Sequence, residues 1–117
     1  MERKAVQSRP GGRVPATRTR PQPQPPHHSV YVVFLRNPRG DGKAGYYVGM
    51  TGLTPEQRFA NHKTGTKAAR VVKRFGERLV PKLYAHLNPM NYLEALAMEK
   101  QLAEELRGRG FQVFGGT

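Results

Sequence analysis

The chain has no cysteine, and only eight of its 117 residues are acidic, against twenty Lys and Arg, for a net charge of +12. Without cysteine there are no disulfides and no thiolate metal sites, and cysteine usage says nothing about redox compartment. No apolar run approaches the length needed to span a bilayer, and no export signal stands out. The expectation is a cytoplasmic, intracellular protein with no membrane partner. A polypeptide this short of acids attracts polyanions, nucleic acid first and acidic surfaces second.

The charge is spread over two unlike parts. Residues 1–28 hold six of the ten prolines, six Arg or Lys and one acid, Glu2, and their large apolar residues are only Met1, Val6 and Val14. A segment so poor in apolar side chains cannot offset its ordering entropy, so residues 1–28 are expected to be a disordered basic arm. Its end, Pro21 to His28, reads as a polyproline-type linker that holds the arm away from the domain. Residues 29–117 suffice for one modest core.

That remainder predicts an α+β domain: a small, mostly antiparallel sheet of three to four strands flanked by about three helices. Val30–Leu35 is a continuous β-branched and aromatic run, a strand buried on both faces. Asn37–Lys43 is a polar turn region, and Tyr46–Gly49 is a second strand antiparallel to the first. Thr54, Pro55 and Gln57 form a capping box that opens a helix ended by Gly65, with Arg58 and His62 on one helical face. Ala68–Phe75 predicts a short second helix stopped by Gly76. Lys82–His86 predicts a third strand, with Pro81 at its start. Asn91 and Glu94 cap a last helix that runs to about Arg107, and Phe111–Phe114 predicts a closing strand. Lys43 on the first loop, with Lys63, Lys67, Arg70, Lys73 and Arg74 around the second helix, are candidate phosphate contacts because no acid is interspersed among the helical group.

On the last helix Ala95, Leu96, Leu102, Ala103 and Leu106 form one apolar stripe, and Glu99 falls at its centre. A carboxylate there requires a cationic partner or a bound cation. Read from the helix alone, a salt bridge to Arg58 is the simpler expectation.

Five residues together point further. Ser29-Val30-Tyr31, Tyr47-Val48-Gly49, Arg58 followed by His62, and Glu99 within Glu94–Glu99 resemble, in order and spacing, the motifs of the GIY-YIG endonuclease superfamily. The resemblance spans Ser29 to about Phe114. It implies a GIY-YIG-like domain over residues 29–117 and metal-dependent hydrolysis of phosphodiester bonds in nucleic acid, DNA rather than RNA. It also implies catalytic roles for Tyr31, Tyr47, Arg58, His62 and Glu99. Glu99 would ligate one divalent metal, Mg²⁺ or Mn²⁺, Tyr47 would stand by the attacking water with Tyr31 assisting, Arg58 would hold the phosphate, and His62 would orient water or Tyr31. The alternative is a nucleic-acid-binding module of the same fold without turnover.

Overall fold

A computed structural model describes residues 25–116. Residues 1–24 lie outside the described part, and with them most of the arm predicted to be disordered.

Strand β1 (Ser29–Leu35) and strand β2 (Gly45–Thr51) pair antiparallel in full register, from Ser29 opposite Thr51 to Leu35 opposite Gly45. Val30, Val32, Val33 and Leu35 are fully buried, as the unbroken apolar run requires. Helix α1 (Pro55–Thr64) begins on the predicted capping box, Thr54 and Gln57 each bonding the other's backbone, and ends at Gly65 in the left-handed region (φ 91°). Helix α2 spans Arg70–Phe75, two residues shorter at its start than predicted. Helix α3 (Tyr92–Gly108) begins on the Asn91–Glu94 capping box.

The third strand is not where the sequence placed it. Gly76 does end α2, but in an extended conformation, and the chain runs straight into β3 (Gly76–Leu79), which pairs antiparallel with β1. The ladder closes with the Val80 amide donating to the Val32 carbonyl at 2.9 Å. Pro81, next in the chain, has no amide to continue it. The segment predicted as a strand, Lys82–His86, therefore falls in two short 3₁₀ turns, Pro81–Leu83 and Ala85–Leu87.

The closing strand β4 (Gln112–Gly115) lies parallel to β2, giving a mixed four-stranded sheet in the order β3-β1-β2-β4. Helix α3 packs against β1, β2 and β4 through Ala95, Leu102, Ala103 and Leu106, all buried. Leu96, which the projection placed on that stripe, is 40 % exposed and belongs to the helix's outer side.

The folded unit begins one residue before the predicted boundary. His28 exchanges two backbone hydrogen bonds with Met90, at 2.8 and 2.9 Å, and its ring stands edge-on to Tyr92. The end of the linker thus packs on the domain instead of standing off it. No helix among the described residues is long and apolar enough to cross a membrane.

Candidate active site

Strand alternation sends Tyr31 and Tyr47 to the same sheet face, because Tyr31 pairs with Gly49, two residues beyond Tyr47. Their ring centroids are 6.3 Å apart. The glycine is what admits this arrangement. A Cβ at Gly49 would stand 2.6 Å from both Cζ and Oη of Tyr31, so the Tyr31 ring lies directly on the bare backbone of β2.

Helix α1 delivers His62 to the same point. His62 is fully buried, and its Nε2 lies 2.8 Å from the Tyr31 hydroxyl. Its Nδ1 accepts the Ala69 amide at 3.0 Å. An imidazole nitrogen that accepts a backbone N–H carries no proton, so the ring proton sits on Nε2 and is donated to the Tyr31 oxygen. Two consequences follow. The Tyr31 hydroxyl proton is left free to donate elsewhere, and protonating His62 would sacrifice the Ala69 bond. Burial, seconded by the Arg58 charge, pulls the His62 pKa down to about 4, which keeps the ring neutral at pH 7. The three rings close into one cluster, with His62 6.0 Å from Tyr31 and 5.7 Å from Tyr47 by centroid.

Arg58, one turn earlier on α1, is half-buried and held from behind: Nη2 donates to the Lys67 carbonyl at 2.8 Å and Nη1 to the Thr66 carbonyl at 3.3 Å. Lys67 presents its carbonyl from a left-handed backbone (φ 47°). The salt bridge expected between Arg58 and Glu99 does not form among the described residues, because the guanidinium donates to these carbonyls instead. Its charge still reaches the cluster, pulling against the rise in both tyrosine pKa values.

Glu99 enters from α3. It is half-buried, and burial raises its pKa above the usual carboxylate range. Burial likewise pushes the Tyr31 and Tyr47 hydroxyls up; at Tyr47 the Glu99 charge comes next, and at Tyr31 the neighbouring Tyr47 comes next with Glu99 adding to the rise. Both tyrosines are therefore neutral phenols at pH 7. No group of three or more His, Cys, Asp or Glu able to hold a metal is found among the described residues. A lone carboxylate can still suit a hard divalent ion that keeps most of its waters. Glu99, desolvated and without a cationic partner among the described residues, fits that kind of site.

The basic candidates divide. Lys67, Arg70, Lys73 and Arg74 are exposed around α2, and Lys43 is exposed on the β1–β2 loop. Lys63 is otherwise engaged, its ammonium donating to the carbonyls of Gly76 (2.8 Å), Lys73 (3.0 Å) and Val72 (3.5 Å). It caps the C-terminus of α2 instead of standing free for a phosphate.

Gly115 and Gly116 are part of the site's frame and were not singled out in the sequence. Both have positive φ. A Cβ on Gly115 would meet the Val48 carbonyl at 2.4 Å and the Tyr47 ring at 2.9 Å, and one on Gly116 would meet Ala103 Cβ at 2.3 Å. The end of β4 and the residue after it thus wedge between Tyr47 and the turn of α3 that carries Glu99. The only sequence signal for this was a pair of adjacent glycines directly after a short apolar strand. Asn88 clamps β1 by bonding the Val30 amide and carbonyl at 2.9 and 2.8 Å.

Comparisons with protein-family models, curated proteins and solved structures found no match for this chain.

Proposed function

We propose that the protein is a metal-dependent endonuclease of GIY-YIG type, hydrolysing phosphodiester bonds in DNA. The observation that carries the reading is the buried Tyr31–His62 hydrogen bond, set beside Tyr47 with Arg58 and Glu99 both acting on the same hydroxyls. Ordinary strand packing accounts for two tyrosines. It does not account for a half-buried carboxylate without a cationic partner among the described residues and an arginine converging on them.

In this reading Arg58, fixed by two loop carbonyls, presents its guanidinium to the scissile phosphate, where charge accumulates in the transition state. His62 holds Tyr31 by donating to its oxygen, which turns the Tyr31 proton outward as a donor. Tyr47, the less buried of the two tyrosines, would serve as base toward the attacking water only as the phenolate, after its own proton has left to solvent. A divalent cation on Glu99 would supply charge neutralisation at the phosphate and offset the Glu99 charge, which adds to burial in holding the Tyr47 pKa up. The exposed Lys67, Arg70, Lys73 and Arg74 would track the DNA backbone, a contact that weakens steeply with salt.

The test is nicking of supercoiled plasmid and of branched and single-stranded substrates with Mg²⁺ or Mn²⁺. Glu99→Gln is expected to lower the rate about a hundredfold or more, while binding in EDTA persists. Equal background cleavage by wild type and Glu99→Gln on every substrate overturns the proposal.

A further inference from the structure

The sheet face opposite Tyr47 carries a second cluster that the proposed chemistry does not use. Tyr46 alternates with Tyr47 and pairs with Phe34, and Phe34 in turn pairs with Arg78 on β3, so the three share the other face. Their side chains form a continuous row across the sheet. The Arg78 guanidinium lies 4.3 Å over the Phe34 ring. Phe34 meets Tyr46 at 6.2 Å and Tyr46 meets Phe111 at 5.1 Å, both edge to face. The Arg109 guanidinium closes the row 5.6 Å over Phe111.

Core closure alone does not explain this row. Phe111 is 40 % exposed, the Arg78 side chain is 63 % exposed, and Arg109 is exposed. Beside Phe34 a recess of ≈ 390 Å³ opens between β1 and its loop, walled by Arg36, Asn37, Gly42 and Ala44. One exposed ring, Phe111, and two half-buried ones, Phe34 and Tyr46, flanked at both ends by arginine on a chain of net charge +12, match one class of ligand: a polyanion that also carries π faces.

We infer that the Arg78–Phe34–Tyr46–Phe111–Arg109 row is a single-strand platform, on which unpaired bases of nucleic acid stack while the two arginines take the flanking phosphates. Three rings set an upper bound of about three stacked bases. Because the row faces away from Tyr47, it would hold a strand displaced from, or continuing past, the duplex at the proposed cleavage site. In that respect it rests on the nuclease reading and narrows the substrate to DNA with an unpaired segment. Base stacking itself does not require turnover.

The experiment is fluorescence anisotropy of the full-length protein in EDTA with a labelled 12-mer of thymidine, an abasic 12-mer of equal charge, and a blunt hairpin duplex. Wild type is expected to bind the thymidine strand about tenfold more tightly than the abasic one. Phe111→Ala and Arg109→Gln lie outside the buried core, and their melting temperatures confirm folding. Phe111→Ala should reduce the preference for the thymidine strand and leave abasic binding unchanged, and Arg109→Gln should weaken both single strands. Equal binding of the two strands by wild type overturns the platform, as does a base preference that Phe111→Ala leaves undiminished. Plasmid nicking is measured on the same samples. Lost stacking with intact nicking removes this inference alone, whereas intact stacking without nicking removes the nuclease reading alone.

Discussion

Replacing Gly49 by alanine tests the central packing of the site without assuming any chemistry. The added Cβ would stand 2.6 Å from Tyr31 Cζ and 2.6 Å from its hydroxyl oxygen, closer than Cβ contacts in folded proteins. Neither side can yield freely. Tyr31 is 1 % exposed, its hydroxyl is tied to a fully buried His62, and Gly49 is held in the β1–β2 ladder. Overpacking of this kind costs about 1–3 kcal/mol. If the ring swings away, the lost hydrogen bond leaves two buried polar atoms unpaired, for about 1–3 kcal/mol more. The combined loss of roughly 2–6 kcal/mol in a domain this small lowers Tm by roughly 8–48 °C, read by circular dichroism or calorimetry. Gly108→Ala is the internal control. No atom lies within 4 Å of its added Cβ, so it should be neutral or stabilise by up to about 1 kcal/mol. A double-mutant cycle identifies the clash: with Tyr31→Leu in place the ring is gone, and Gly49→Ala should then cost little. A Gly49→Ala protein melting within about 3 °C of wild type would refute the reasoning, as would a full penalty persisting in the Tyr31→Leu background.

Two further substitutions address residues with assigned partners. The folded His62 pKa, about 4, lies below its ordinary value of 6.5. Between those values the unfolded chain binds the extra proton, so the neutral ring's contribution is complete above pH 6.5 and is lost as pH falls toward 4. The loss amounts to about 3 kcal/mol. Half-buried Glu99, its pKa raised, titrates with the opposite sign, so the comparison is between wild type and His62→Gln, whose melting temperature should fall less steeply from pH 7 to 4.5; parallel curves would contradict it. Lys63→Met should cost about 1 kcal/mol by uncapping α2 and change DNA affinity little. Arg70→Ala or Lys73→Ala should do the reverse, lowering affinity and the salt slope while leaving Tm in place. Melting curves and salt titrations of the three variants decide it.

What was legible in the sequence was local, and what was missed depended on partners distant in the chain. Both capping boxes, the β1–β2 pairing and the Gly65 stop are each written within a few residues, and each is found where the sequence placed it. The third strand was misplaced because Gly76 was read as a terminator, whereas an extended glycine can end a helix and begin a strand in one step. Periodicity alone could not choose between Glu77–Leu79 and Lys82–His86; the choice fell to β1, whose free edge needs donors that Pro81 cannot supply. For the same reason composition counted Lys63 as a surface charge, since nothing near it in sequence shows that carbonyls nine to thirteen residues on will accept its hydrogen bonds.

The site repeats this division in a way that bears on its assembly. Residue types and spacing picked out Tyr31, Tyr47, Arg58, His62 and Glu99, but not what holds them. The Tyr31 ring needs a bare Gly49, His62 needs the Ala69 amide to fix its tautomer, and Arg58 needs two carbonyls from the α1–α2 connection. Tyr47 and the Glu99 turn need the Gly115–Gly116 wedge from the far end of the chain. Each support comes from backbone, and backbone carries no signature in the sequence except where a side chain must be missing. The glycines at 49, 115 and 116 are therefore the most readable trace of the frame: they mark where the chain approaches too closely for a Cβ. A substitution at any of them should disturb the cluster as surely as one at the tyrosines, although none of the three bears a reactive group.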